Sequence, residues 1–456
     1  MMSDIPSMIE KLKGAVEITG AGVEVKDEDR LADELIEELI YTAVLHDDDK
    51  VKTAARWIIR EAAAAMDTVP ASIHEFYMAR GRGEYGGFSV PAINIRTLTY
   101  DTARAIMRAA QQNNSTSVIF EIAKSEMGYT QQPPAEYAPC IIAAAVRERY
   151  KAPVFIQADH TQLKLKNFKA DRAAEVEANK KVISDAMAAG YYNIDIDSST
   201  LVDLSKPTVD EQQRDNYEAA AELTKFIREN EPEGVTVSVG GEIGEVGDKN
   251  STEEELVAYM EGYRKLLPKG MAGISKVSIQ TGTTHGGIPT ADGSIAEVQL
   301  DFDTLNRLSD LAQRRYAMGG AVQHGASTLP DELFDKFPQH NCLEIHLATG
   351  FQNILCSSKH FPKDLLEKLY RHLDDNHSNE RKEGWTDEQF YYKLRKKVWG
   401  PFKSEVWGLP RPTIDALMAE LETQFDFLFK KLNAINTKDI VARTVPLVRV
   451  PVPKPF

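Results

Sequence analysis

Ten histidines are spread over the 456 residues, and five of them fall between residues 75 and 355. Four of these five, His160, His285, His324 and His346, end or lie within short apolar runs, where a strand would finish. Asp159 directly precedes His160 in "APVFIQADH", and Glu242 is carried by "VTVSVGGEIG". Imidazoles and carboxylates that meet at one point bind divalent metals, and three imidazoles leave a tetrahedral zinc with one open position. A carboxylate beside such a cation stays ionised and can serve as a base, which makes Asp159 the first candidate. Taken singly, each histidine is more simply a packed or hydrogen-bonded residue, and Glu242 a solvated loop carboxylate. Their joint placement is what points to a metal site. Small residues flank two of the histidines, in "TGTTHGG" and "QHGAS", and allow a ligand close to the backbone.

The elements that must position these groups are eight apolar runs. They are "FSVPAINI", "SVIFEIA", "APVFIQADH", "YNIDIDSS", "VTVSVGGEIG", "KVSIQTGTTHG", "GGAVQHGAS" and "CLEIHLATG". Amphipathic helices such as "YDTARAIMRAAQQ" and "EANKKVISDAMAAG" lie between most of them. Strict alternation of this length predicts an α/β fold, a (β/α)8 TIM barrel, in preference to a doubly wound open sheet. Its C-terminal strand ends would share one rim, so residues distant in sequence would meet there. The pattern divides the chain into an N-terminal helical extension (1–74), a barrel (75–355) and a C-terminal helical extension with a Pro-rich tail (356–456).

Composition narrows the partners. Lys plus Arg is 54 against 69 Asp plus Glu, a formal charge of −15, which disfavours nucleic acid and anionic lipid. An anionic substrate would therefore need a local basic pocket. Three cysteines (Cys140, Cys342, Cys356) and no CxxC suit a reducing compartment and exclude a cysteine metal site. No apolar run approaches membrane-span length, and the N-terminus has no apolar signal core, so a soluble cytoplasmic protein is expected. Apolar-faced helices such as "ALMAELETQFDFLFKKL" and the tail "VPLVRVPVPKPF" must be laid on something, which predicts a homo-oligomer, at least a dimer.

The motifs "FSVPAINI", "ADH", "GGEIG", "GTTHGG" and "VQHGAS" together resemble the successive strand motifs of class II, metal-dependent fructose-bisphosphate aldolases. The resemblance runs over residues 75 to 355 in order. It implies that His160, His285 and His324 bind a catalytic Zn2+, that Asp159 is the proton-shuttling acid/base, and that Glu242 is an alternative ligand. Asp197 falls on the family's strand-four Asp, which serves a second ion, divalent or monovalent; Asp195 faces the same way and stays an alternative. Gly286, Gly325 and Ser327 fall where the family binds phosphate, and His346 and Thr349 fall in the substrate-contacting segment. The implied reaction joins or splits a sugar phosphate, fructose 1,6-bisphosphate first, through a metal-stabilised enediolate, as in glycolysis and gluconeogenesis. Tagatose 1,6-bisphosphate, a different zinc hydrolase on the same barrel and a non-catalytic metal-binding barrel are the alternatives.

The sequence departs from the family in places. The usual Asn-x-Asp-Thr-Asp of the eighth strand is His346-Leu347-Ala348-Thr349-Gly350, the second-strand Ser is Ala123, and the acidic loop pair has only Glu245 and Asp248 nearby. Other signals are set aside. Gly81 to Gly86 matches GxGxxG but precedes a strand, which is the wrong context for a nucleotide loop. Lys276 begins its strand, the wrong end for a Schiff-base lysine. The basic run Lys393, Arg395, Lys396, Lys397 reads as a solvated helix face, with phosphate binding, even in a neighbouring subunit, as its functional reading.

Overall fold

The computed structural model describes residues 1–20, 22–244, 249–282 and 300–456. The first element is the helix Ile5–Leu12, capped by the Asp4 side chain. It is followed by an antiparallel pair, β1 (Val16–Thr19) and β2 (Gly22–Val25), in a segment whose pattern predicts only helix. Val16, Ile18, Val23 and Val25 alternate with polar residues, a period-2 signal too short to stand out beside the long helices that follow. Glu17 and Glu24 face each other across this pair, and Lys26 bridges both. The predicted helices then appear as Ile36–Leu45 and Asp49–Ala65, the latter capped by Asp48.

The eight apolar runs become β3 (Val90–Asn94), β4 (Ile119–Ala123), β5 (Phe155–Gln162), β6 (Asn193–Asp197), β7 (Ser238–Glu242), β8 (Lys276–Ile279), β9 (Ala321–Gln323) and β10 (Glu344–Leu347). They pair in parallel in chain order, and β10 closes the barrel on β3 with Glu344 opposite Val90. Strands buried on both faces read as continuous apolar runs, which is why they were legible without alternation. Helices Thr99–Gln112, Pro134–Arg147, Arg172–Ala189, Val209–Asn230, Glu253–Leu266 and Phe302–Tyr316 form the outer ring.

Both extensions pack on this ring and share its core. Helix Arg411–Lys431 lies on Thr99–Gln112, with Leu417, Leu421, Phe425 and Leu428 buried and Arg108 paired to Glu422 at 2.7 Å. The Thr437 hydroxyl accepts the backbone N–H groups of Thr116 and Ser117 at the entry to β4. The Pro-rich tail is seated on its own chain: the Trp57 indole donates to the Val452 carbonyl at 2.9 Å and Arg449 pairs with Glu61 at 3.0 Å. The surface that an extended, unbonded segment requires is thus supplied by helix Asp49–Ala65. Among the described residues, no helix is long and apolar enough to cross a membrane.

Candidate active site

Asp159 and His160 lie within β5 at a break in its pairing with β6. Ala158 opposes Ile194 and Thr161 opposes Ile196, so β5 carries one extra residue at this point. His160 has φ +41°, the left-handed region, which is uncommon for a residue with a side chain. Such a bulge re-aims side chains that a regular strand would alternate between faces. Here it brings both Asp159 and His160 to the mouth of the barrel, where both line one cavity.

Around His160 the strand ends supply carboxylates. Its Nδ1 lies 3.2 Å from Asp197 at the end of β6 and 3.4 Å from Glu242 at the end of β7. Its Nε2 lies 3.8 Å from the Asp159 carboxylate. His324, just past β9, stacks edge-on against His160 with ring centroids 4.3 Å apart, and its Nδ1 is 3.8 Å from Glu242. Donor atoms of His160, Glu242 and His324 lie within 4.8 Å of one another. Burial disfavours a charged His160, but Asp159, Glu242 and Asp197 override it and hold its pKa well above the usual imidazole value. Burial likewise works against an ionised Asp197, yet His160, Ser199 and Gln162 hold its pKa below the usual carboxylate value. The carboxylates of the cluster thus favour a positive charge beside them. Two imidazoles and adjacent carboxylates are a donor set that suits zinc, and the residues present fit such an ion.

The structure separates the two aspartates that the sequence left as alternatives. Asp197 touches His160, whereas Asp195 lies deeper and is ion-paired to Lys276 at 3.0 Å. Lys276 does begin its strand, as expected, and its ammonium is buried inside the barrel between Asp195 and Glu344. Gly325, with φ +71°, and Ser327 line the cavity, as do His346 and Thr349. His346 sits on its floor, with ring centroid 4.2 Å from that of His324. His285 and Gly286 lie outside the described residues, as do Glu245 and Asp248.

The cavity encloses about 480 Å3 and is lined by four cations, Arg96, Lys124, Lys164 and Lys396. Glu121, Glu126 and Asp159 share the lining, so the cations outnumber the carboxylates by one, and they are the positive groups an anion would meet in a chain of charge −15. Arg96 follows β3 and pairs with Glu126 at 2.7 Å. The Lys124 ammonium is held by the Gln162 carbonyl at 3.0 Å and by Asn179 at 2.9 Å. Lys396 comes from the C-terminal extension, in a segment that reads in sequence as a solvated face. Its neighbours have other partners: Lys397 pairs with Glu380, whereas Arg395 is itself buried, over the Tyr392 ring and bonded to Asn353. Lys396 itself is half-buried, with its ammonium 5.7 Å from the Tyr129 ring centroid, and no ion pair holds it among the described residues. Burial, then the nearby Arg96 charge, lower its pKa. The sequence offered phosphate binding only as the second reading of the basic run and did not single out this lysine; the strand-end position of Arg96 was a signal that could have been used.

Residues 81–395 match the family model described as fructose-bisphosphate aldolase class-II. No curated protein sequence matches the chain. Among solved structures, a protein of Sinorhizobium meliloti 1021 described as a probable tagatose 6 phosphate kinase is similar at 15% identity and TM-score 0.50. That alignment covers 78% of this chain and 98% of that one. The fructose-bisphosphate aldolase of Campylobacter jejuni aligns at 16% identity and TM-score 0.48, over 81% of this chain and 96% of its own. The YdjI aldolase from Escherichia coli K12 aligns at 14% identity and TM-score 0.43, over 76% and 100%. At such identities the likeness to the first speaks for the barrel fold alone.

Proposed function

We propose that this chain, which belongs to the class II fructose-bisphosphate aldolase family, is a zinc-dependent lyase acting on a ketose bisphosphate, fructose 1,6-bisphosphate first. The observation that carries the reading is the convergence of His160, Glu242 and His324 at the barrel mouth, with Asp159 beside them in a cation-lined cavity. A zinc ion held by these groups, with His285 as a further ligand and Asp197 toward a second ion, would supply Lewis acidity to the substrate carbonyl and stabilise the charge left by cleavage. Asp159 takes the proton from the C4 hydroxyl as the bond between C3 and C4 breaks, a proton is then delivered to C3 of the enediolate, and condensation runs both transfers in reverse. The products are dihydroxyacetone phosphate and glyceraldehyde 3-phosphate. Gly325 and Ser327, together with Gly286, receive one phosphate, and Thr349 lies on the same wall.

Residues 75–355 are the catalytic unit in this reading, and the flanks cover it. Purified protein should cleave fructose 1,6-bisphosphate, stop when chelated, and recover with zinc. Cleavage of tagatose 1,6-bisphosphate alone would move the substrate within the family. Cleavage of neither by zinc-loaded protein would sink the reading. It also includes a cytoplasmic homo-oligomer, a dimer or larger; light scattering that finds a monomer at micromolar concentration would remove the assembly.

Lys396, which no ion pair holds among the described residues, bears on substrate charge. Lys396→Ala should raise KM for the bisphosphate by about tenfold or more, the scale of one lost charge-assisted hydrogen bond, and change kcat less. An unchanged KM would take the C-terminal extension out of the binding site.

A further inference from the structure

We propose that His346 is a positioning residue for Asp159, its ring clamped from below by Glu344 so that Nδ1 is held beside the Asp159 carboxylate. The proposal rests on the reading of Asp159 as the acid/base group. It begins in the barrel interior, which in this architecture is usually filled by branched aliphatic side chains. Here the layer beneath the mouth is polar and buried. The Lys276 ammonium donates to Gln157 at 2.7 Å, to Asp195 at 3.0 Å and to Glu344. Gly240 lies in register between Asp195 and Lys276. A Cβ at Gly240 would come within 2.4 Å of Asp195 Oδ1 and 3.0 Å of Lys276 Cε, so the pair closes only over a glycine.

Glu344 is fixed on several sides. It accepts from the Tyr77 hydroxyl, from Lys276, and from the Gln157 amide at 3.1 Å. The same carboxylate lies 2.6 Å from His346 Nε2. With Nε2 committed there, Nδ1 stands 3.0 Å from Glu121 and 3.3 Å from Asp159 Oδ1, within ion-pair distance of both but without a hydrogen bond to either. One ring corner thus faces two carboxylates, Glu121 the nearer. The attraction within a buried network of this kind can fall short of its desolvation cost, so the network is weak evidence for a stability role. Holding a carboxylate in one rotation accounts for it. Asp159 sits on the bulge, where the strand ladder gives least support to its backbone. Misplacing a reacting group by about 1 Å can cost a hundredfold in rate. The family resemblance has a substrate-contacting Asn at this position, whereas the histidine is tied to the barrel floor.

Two variants test this. His346→Gln should lose the reach between Glu344 and Asp159, and Glu344→Gln should weaken the clamp without altering the cavity wall. Each should keep its zinc and a KM within about twofold of wild type while kcat falls about tenfold or more. Full kcat in either folded variant would overturn the proposal, and so would zinc loss with unchanged kcat per bound zinc. A direct reading uses 15N-labelled histidine in the full chain: the His346 Nδ1 resonance should move on Asp159→Asn. An unmoved resonance overturns the contact even if substitutions at residue 346 prevent folding. Because this reading needs no turnover, it is distinguishable from failure of the aldolase assignment, which the wild-type assay alone decides.

Discussion

Asp159→Ala is expected to retain zinc and to bind substrate while losing kcat by about a hundredfold or more, the usual scale for a positioned acid or base. The metal should stay because His160, Glu242 and His324 are untouched and their donor atoms already lie within 4.8 Å of one another. The loss should fall on kcat because Asp159 is buried at the base of the cavity, beside the ring of His346 and the metal cluster. Asp159→Asn keeps the shape and removes the charge, so it should fall as far. Elemental analysis beside steady-state kinetics separates the two roles. Near-normal turnover in either variant would move the proton transfer elsewhere, with Glu242 next in line because it faces both His160 and His324.

His160→Ala and His324→Ala should each strip zinc and abolish turnover, since the remaining groups cannot hold the ion tightly. Full zinc in either purified variant would remove that residue from the metal's coordination. A linked effect follows from the charge around His160. Burial opposes its protonation, but Asp159, Glu242 and Asp197 hold its pKa well above the usual imidazole value. With its pKa raised, this ring is expected to hold a proton in the metal-free protein that zinc must displace. Adding zinc to metal-free protein in unbuffered solution should release acid. Apparent zinc affinity should weaken by about tenfold for each pH unit lowered, for one displaced proton. A pH-independent affinity between pH 6 and 8 would contradict this charge assignment.

How much of this was legible in the sequence differs from element to element. The eight strands were, because each is a short apolar run bounded by a helix pattern, and a strand buried on both faces needs no partner to be recognised. Placing Asp159, His160, Glu242, His324 and His346 at strand ends followed from the same runs. The hairpin at Val16–Val25 was missed because four-residue strands beside strong helical periodicity leave little signal. The choice between Asp195 and Asp197 was not legible either. Both point inward with period two, and only the depth of the Lys276 ammonium shows that Asp195 belongs to the layer below.

The sequence by itself determined the barrel, the strand ends at which the candidate residues are gathered, and the residue types that a metal and a base would require. These depend on local periodicity and on composition, which are written along the chain. Tertiary structure alone decided the rest. The extra residue in β5 turns Asp159 and His160 to one mouth, and whether a strand bulges depends on the register of its neighbour. Lys396 enters the cavity, while Arg395 and Lys397 find other partners, because a helical turn from the distant C-terminal extension docks beside Tyr129. Glu344, Lys276 and Asp195 reach one another across the interior only once the sheet has closed over Gly240. Contacts across a closed barrel depend on closure and depth, and neither has a period in the sequence.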